Sequence, residues 1–115
     1  MIKIYNITTK ELLDENILVS DNYFKRLKGL MFKKDFNEGM LFKNLKYGSG
    51  IHTHFMRFPI DVYFIDENNS VYETASIEPW KSYKPSKKAK YILEYKKSSK
   101  KRFKVNDKIL IKKEN

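Results

Sequence analysis

The chain opens on alternation. Ile2, Ile4 and, after a pause, Ile7 are separated by polar residues, and a period of two marks a half-buried strand. Glu11-Leu12-Leu13 and Ile17-Leu18-Val19 predict one or two further short strands, with the polar Asp14-Glu15-Asn16 as the turn between them. The period then changes. Asp21 stands ahead of Tyr23, Phe24, Leu27 and Leu30, whose spacing marks the apolar face of a helix, with Lys25, Arg26 and Lys28 on the other face. The Asp21 carboxylate suits an N-cap because it can accept a bond from a free backbone N–H, and cations suit the far end of the helix dipole. Gly29 ends or tightens this helix; alternatively it runs on through Met31.

From position 39 the pattern is β again. Gly39-Met40-Leu41-Phe42 predicts a short apolar strand and Gly48-Ser49-Gly50 a turn. Ile51 to Phe55 and Ile60 to Ile65 predict two strands, with Pro59, which cannot donate to a ladder, at the bend between them. Asp66 to Ser70 reads as a hairpin turn, since Asx residues tolerate left-handed backbone, and Val71 to Ile77 as the returning strand. Pro79 to Lys90 reads as a loop. Ala89 to Tyr95 reads as a strand with Ala89, Tyr91, Leu93 and Tyr95 on one face. Ser98 to Phe103 predicts a helical turn, Asn106-Asp107 a turn, and Lys108 to Lys112 a last strand with Ile109 and Ile111 on one face. The sum is a single α+β domain over residues 1–115, mainly antiparallel β, barrel-like or a closed sheet, with one or two short helices.

Composition narrows this picture. A length of 115 residues allows one domain, and 15% aromatics with only 4 Gly and 3 Pro describe a packed core rather than a disordered chain. The absence of Cys excludes a disulfide scaffold and a Cys-ligated zinc module. No charge-free stretch approaches the ~20 apolar residues of a membrane span, so no membrane partner is expected. Met1 to Lys10 holds no apolar run of signal-peptide length, so the expected location is the cytoplasm. Charge is uneven. Residues 1–80 carry 10 basic and 11 acidic side chains, a net of −1, whereas residues 81–115 carry 14 basic and 3 acidic ones, a net of +11.

Three blocks recur in an order that is informative as a set: Arg26-Leu27-Lys28-Gly29-Leu30-Met31-Phe32, then Gly39-Met40-Leu41-Phe42, then Phe55-Met56-Arg57-Phe58-Pro59-Ile60-Asp61-Val62-Tyr63-Phe64-Ile65-Asp66. With Leu93-Glu94 and Asn106-Asp107 in the later positions, the chain resembles the "domain of unknown function 192" family over about residues 10–111. The resemblance implies a compact, mainly β fold with short helices, and no established activity. Many bacterial members look exported by a leading signal. This chain departs from the family pattern at Lys33, at Tyr95-Lys96-Lys97 and at Phe55, which has His54 before it.

Candidate chemistry is sparse. His52 and His54, at i and i+2 on a strand, would share a face and could ligate zinc, nickel or copper with a carboxylate from Asp61 or Asp66. Two histidines alone fall short of the usual three or four ligands, and surface or backbone-bonded imidazoles give the same sequence. Met31, Met40 and Met56 are soft ligands in principle and core fillers in ordinary use. Arg57 is the only Lys or Arg between positions 47 and 80 and is expected to pair with Asp61, a carboxylate placed to line a pocket. The resulting ligand-pocket candidates are Met40, His52, His54, Met56, Arg57, Asp61 and Trp80.

In the basic third, Lys81, Lys84, Lys87, Lys88, Lys100, Lys101 and Arg102 lie among Trp80, Tyr83, Tyr91 and Phe103. Lysines attract phosphates and aromatics stack bases, so these residues are candidates for RNA or single-stranded DNA. Lys outnumbers Arg 21 to 3, which suits a solvated face equally well. No catalytic triad, Walker loop or dinucleotide fingerprint is present. Three function classes follow. The first is a binding or accessory domain with a small-molecule pocket near His52, Arg57 and Asp61. The second is an electrostatic nucleic-acid module at residues 81–104, and the third a metal-dependent enzyme at His52 and His54. These residues name no cofactor and no oligomeric state.

Overall fold

The computed structural model describes residues 2–14, 17–20, 39–43, 45 and 49–113. The helix expected from Asp21 onward, and with it Met31, lies outside these residues.

The described residues form ten strands: β1 (Ile2–Asn6), β2 (Glu11–Asp14), β3 (Ile17–Ser20), β4 (Gly39–Phe42), β5 (Ile51–His52), β6 (Ile60–Ile65), β7 (Val71–Ile77), β8 (Ser82–Tyr83), β9 (Tyr91–Lys96) and β10 (Ile109–Lys113). The largest sheet has the order β3-β4-β9-β6-β7, with β3 and β4 parallel and the other neighbours antiparallel. A second sheet has the order β10-β1-β2, and β5 and β8 make a two-stranded third. The expected mainly β architecture is therefore present, but no sheet among the described residues closes into a barrel. The large sheet keeps two edges, β3 and β7, and covers its faces with other elements instead of curling on itself.

Burial explains the sequence pattern. Strand β6 is covered on both faces, and all six of its residues are buried, so it reads as a continuous apolar run. Strand β7 lies at an edge and mixes buried with exposed positions. On one face of the sheet, Met40, Phe42, Ile60, Val62, Phe64 and Ile92 pack with Leu45, Ile51, Met56, Phe58 and Ala89 from the segments that cross over them. On the other face, Leu41, Tyr63, Ile65, Leu93 and Tyr95 pack with Ile4 and Ile109 of the three-stranded sheet and with Phe103. Ala89 thus belongs to the face opposite Tyr91, Leu93 and Tyr95, because β9 starts only at Tyr91.

Two expected elements differ. Ser98 to Phe103 forms no helical turn. Its backbone N–H groups go to side chains instead: Ser98 to Asp61 (3.0 Å), Lys100 to the Ser98 hydroxyl (3.3 Å) and Arg102 to the Tyr63 hydroxyl (3.0 Å). The strand expected over Ile51–Phe55 stops at His52, and the loop expected over residues 79–90 contributes β8 as its partner. A buried polar knot closes the fold at the termini. The Asn6 amide donates to the Arg102 carbonyl (3.1 Å) and to Asp107 (2.9 Å), and Asp107 accepts from the Lys104 N–H (2.8 Å). No helix among the described residues is long and apolar enough to cross a membrane.

Candidate functional site

Antiparallel pairing sets Asp61 opposite Ser76 on one side and Tyr95 on the other, so its side chain points to the face that carries Tyr63 and Tyr95. It is 2% exposed. Oδ1 accepts from the Ser76 hydroxyl (2.6 Å) and from Lys101 Nζ (2.8 Å), and Oδ2 accepts from the Ser98 N–H (3.0 Å). Burial pushes the carboxyl pKa up, but the bonds from Lys101, Ser76 and Ser98 and the Lys101 charge outweigh it, so the group is held below the usual Asp value. The partner expected from sequence was Arg57; the structure instead exposes Arg57 and supplies Lys101, forty residues on. A chain leaving the end of β9 reaches the start of β6, whereas Arg57 precedes the Pro59 bend and is exposed.

Beside Asp61 lies a cavity of about 150 Å³, lined by Asp61, Tyr63, Thr74, Ser76, Lys101 and Phe103 with Val62 and Ala75. Thr74 and Ser76 come from the edge strand β7, opposite Tyr63 and Asp61 in the register. The wall therefore presents two hydroxyls, a phenol, a carboxylate and an ammonium above an aromatic ring. His52, His54, Arg57, Trp80, Met40 and Met56 do not line it.

Those residues divide in two. Met40 and Met56 are 2% exposed and belong to the core face that packs Val62 and Phe64. His52, His54 and Trp80 come together elsewhere, at the turn that follows β5. Thr53, fully buried, organises this place. Its carbonyl accepts from the Met56 and Trp80 N–H groups (3.2 and 2.9 Å). Its hydroxyl donates to the Glu78 carbonyl (2.5 Å) and accepts from the Lys81 N–H (3.0 Å). Two tight turns are thereby tied back to back, and each places an aromatic residue in left-handed backbone: Phe55 at φ 65° and Trp80 at φ 65°. Asn69 and Asn106 occupy the same region in their turns, where Asn is at home; large aromatics are not. The Phe55 and Trp80 rings meet edge to face at 4.5 Å, His54 stacks on Trp80 at 6.0 Å, and His52 and His54 lie 4.8 Å apart.

The two imidazoles share a face, as their spacing suggested, but through a turn rather than a strand. His52 Nδ1 accepts from the His54 N–H (3.4 Å), which leaves the ring proton on Nε2. Burial first, and the neighbouring His54 second, hold the His52 pKa below the usual imidazole value. No group of three or more His, Asp or Glu that could hold a metal occurs among the described residues.

The basic segment is split by the fold. Lys87 approaches Asp66 (3.9 Å) and lies over the Tyr72 ring, and Lys90 N–H bonds Ile65 C=O (2.7 Å), so residues 87–90 sit at the hairpin end of β6. Lys97 N–H bonds Pro59 C=O (3.0 Å), so residues 97–101 sit at its opposite end. The six residues of β6 set these groups roughly 17 Å apart at about 3.3 Å per residue. Arg102 turns inward, its guanidinium 3.8 Å from the centre of the Tyr95 ring. Lys81, Lys84, Lys88 and Lys100 are exposed and make no ion pair among the described residues.

Sequence reasoning missed one buried acid. Glu94 pairs with Met40 and Val62 in the register, is 1% exposed, and neither carboxyl oxygen has a hydrogen-bond partner among the described residues. Burial alone pushes its pKa up to about 8. The only sequence signal was its place in the Leu93-Glu94 pair of the family pattern.

Known proteins are similar to this chain in sequence or in fold. A UPF0127 protein of Pyrococcus furiosus is 34% identical over 92 residues, covering 77% of this chain and 78% of that one. A second, from Thermococcus sibiricus, is 33% identical over 92 residues, covering 77% of this chain and 60% of its own length. Among solved structures, a candidate transcription regulator from Sinorhizobium meliloti superposes with a TM-score of 0.77 at 17% identity, covering 95% of this chain and 90% of that one. A protein of unknown function from Novosphingobium aromaticivorans superposes with a TM-score of 0.73 at 19% identity, covering 95% and 82%. These two show the fold. The sequence profile of DUF192, described as an uncharacterized ACR, matches residues 5–111, and with the archaeal identities it establishes that the chain belongs to the DUF192 family.

Proposed function

We propose that this chain is a small binding or accessory domain that takes up a small polar molecule beside Asp61. One observation carries the reading: a buried carboxylate, already ordered by three donors that include the Ser76 hydroxyl, opens onto a cavity whose wall also holds Thr74. Pre-formed concavities with a few convergent polar groups are the usual sites for small ligands, and about 150 Å³ is below the ~300–1,000 Å³ of drug-sized ones. The ligand is accordingly a compact molecule with both donors and acceptors, such as a short polyol, an amino alcohol or a hydroxy acid. The same reading keeps the domain in the cytoplasm, where a chain without cysteine needs no oxidising compartment to fold.

The test is an NMR-detected screen of those three compound classes against the intact chain. Support is a binder that shifts the Ser76 and Thr74 amides and weakens roughly threefold to tenfold in Thr74→Val, the loss of about one hydrogen bond. A screen without binders, or a binder indifferent to Thr74→Val and to Ser76→Ala, overturns the reading.

A further inference from the structure

We propose that the Phe55–Trp80 pair is a stacking platform for unpaired bases, and that this end of the large sheet binds single-stranded nucleic acid. The site is independent of the cavity at Asp61.

Trp80 is 58% exposed and Phe55 43% exposed, although both are large apolar rings that a fold would ordinarily bury. They are held in fixed relation by their mutual contact, by His54 stacked on Trp80, and by the hydrogen bonds that Thr53 makes to the two turns. Both sit in backbone conformations that their side chains disfavour. Outliers of this kind persist where the surroundings over-determine them, and they gather at binding sites.

Charge at this end names the occupant. Three chain segments leave the sheet here: the turn before β6, the loop after β7 and the loop after β9. They carry Arg57, Lys81, Lys97 and Lys100 at the surface. Lys97 is offset by an acid of the same end, which leaves Arg57, Lys81 and Lys100 to set its charge among the described residues. Glu78 pairs with Lys97 (3.5 Å), and Asp61 is buried under Lys101. Exposed aromatic faces inside a cationic rim match a flexible polyanion whose bases are free to stack, and every base offers a π-face. A duplex hides those faces. The lysines at the hairpin end, roughly 17 Å away along β6, lie beyond this platform.

Trp80 is the chain's single tryptophan and reports on its own surface. Titration of the intact protein with a twelve-residue oligo-dT at low salt, followed by tryptophan fluorescence and by anisotropy of a labelled strand, is expected to quench Trp80 as binding saturates. An abasic strand of equal length should bind at least tenfold more weakly. Trp80→Phe keeps a ring and should stay within about threefold of the parent. Trp80→Gly suits the left-handed backbone, removes the ring, and should lose tenfold or more. Lys81→Gln with Lys100→Gln should lower the salt slope by about 1–2. The proposal is overturned if the abasic strand or a duplex binds as tightly as oligo-dT. Unchanged affinity in Trp80→Gly, no binding at low salt, or equal quenching by a neutral oligosaccharide would also overturn it.

Discussion

Asp61 and Glu94 stand on neighbouring strands, buried to nearly the same degree, yet on opposite faces of one sheet. Asp61 faces the side where a loop returns with a hydroxyl, an N–H and an ammonium, and its charge is stabilised. Glu94 faces Met40 and Val62, finds no donor among the described residues, and is held in its neutral form at pH 7. Burial by itself does not decide the state of a carboxyl group. The donors that the next layer supplies decide it, and the two layers over this sheet differ in that respect.

The largest way to break this contrast is pH. An unfolded Glu ionises near 4.5, while folded Glu94 holds its proton to about pH 8. Across that window the folded state binds more protons than the unfolded one, so stability falls as pH rises and levels off above it. At about 1.4 kcal/mol per pKa unit, the full difference is on the order of 5 kcal/mol. Urea unfolding between pH 5 and 8 should show the decline, and Glu94→Gln should flatten it. An equally steep decline in Glu94→Gln would remove the acid from the explanation.

Asp61 is expected to act with the opposite sign. Its stabilising share is present above the ordinary Asp pKa near 3.8 and is lost as pH falls through its lower folded value. Asp61→Asn keeps the size, gives up the charge, and should cost about 1–3 kcal/mol at pH 7, measured by the same unfolding curves. A variant as stable as the parent would show that the three donors are equally content with water.

Packing density separates the faces further. A Cβ added at Gly39 would lie 2.5 Å from Ile17 Cδ1 and 2.7 Å from Tyr95 Cε1, on the face that Asp61 shares. Gly39→Ala should therefore cost about 1–3 kcal/mol. An unchanged midpoint in thermal unfolding would mean that both side chains can move aside. The smallest effect is expected at Lys101, whose side chain is 46% exposed. Lys101→Met should cost about 1 kcal/mol or less and move the Asp61 carboxyl pKa upward, as read by NMR titration. A downward move would assign the pairing another role.

The backbone layout was legible where burial leaves a periodic trace. The run Ile60–Ile65, the alternation after Val71 and the Asx-rich turn between them predicted the central hairpin, because a strand covered on two faces and an edge strand leave different patterns. The β5–β8 pair was not legible: two residues are too few to carry a period. The end of β5 at His52 was hidden for a related reason, since the Thr53 bonds that turn the chain go to residues twenty-five and twenty-eight positions away. The candidate residues fared by the same logic. His52 and His54 meet because their spacing is local. Arg57 and Asp61 do not pair although they are close in sequence, because which chain crosses the end of β9 is a question of topology. Glu94 falls outside the face that Tyr91, Leu93 and Tyr95 mark in sequence, and only the segments folded over the other face remove it from water.

Alternation and turn chemistry therefore determined, without coordinates, a mainly β chain, and composition placed its net positive charge in the last third; the ordered motif blocks carried the resemblance to the DUF192 family. Those properties depend on each residue and its near neighbours. Tertiary structure alone decided which acid is charged, where the cavity opens, how the lysines divide between two ends of a strand, and that Phe55 and Trp80 share a surface. Each of these depends on which distant segment arrives beside the group, and hydrogen bonding, desolvation and ring contact act only over the few ångströms that this arrival sets.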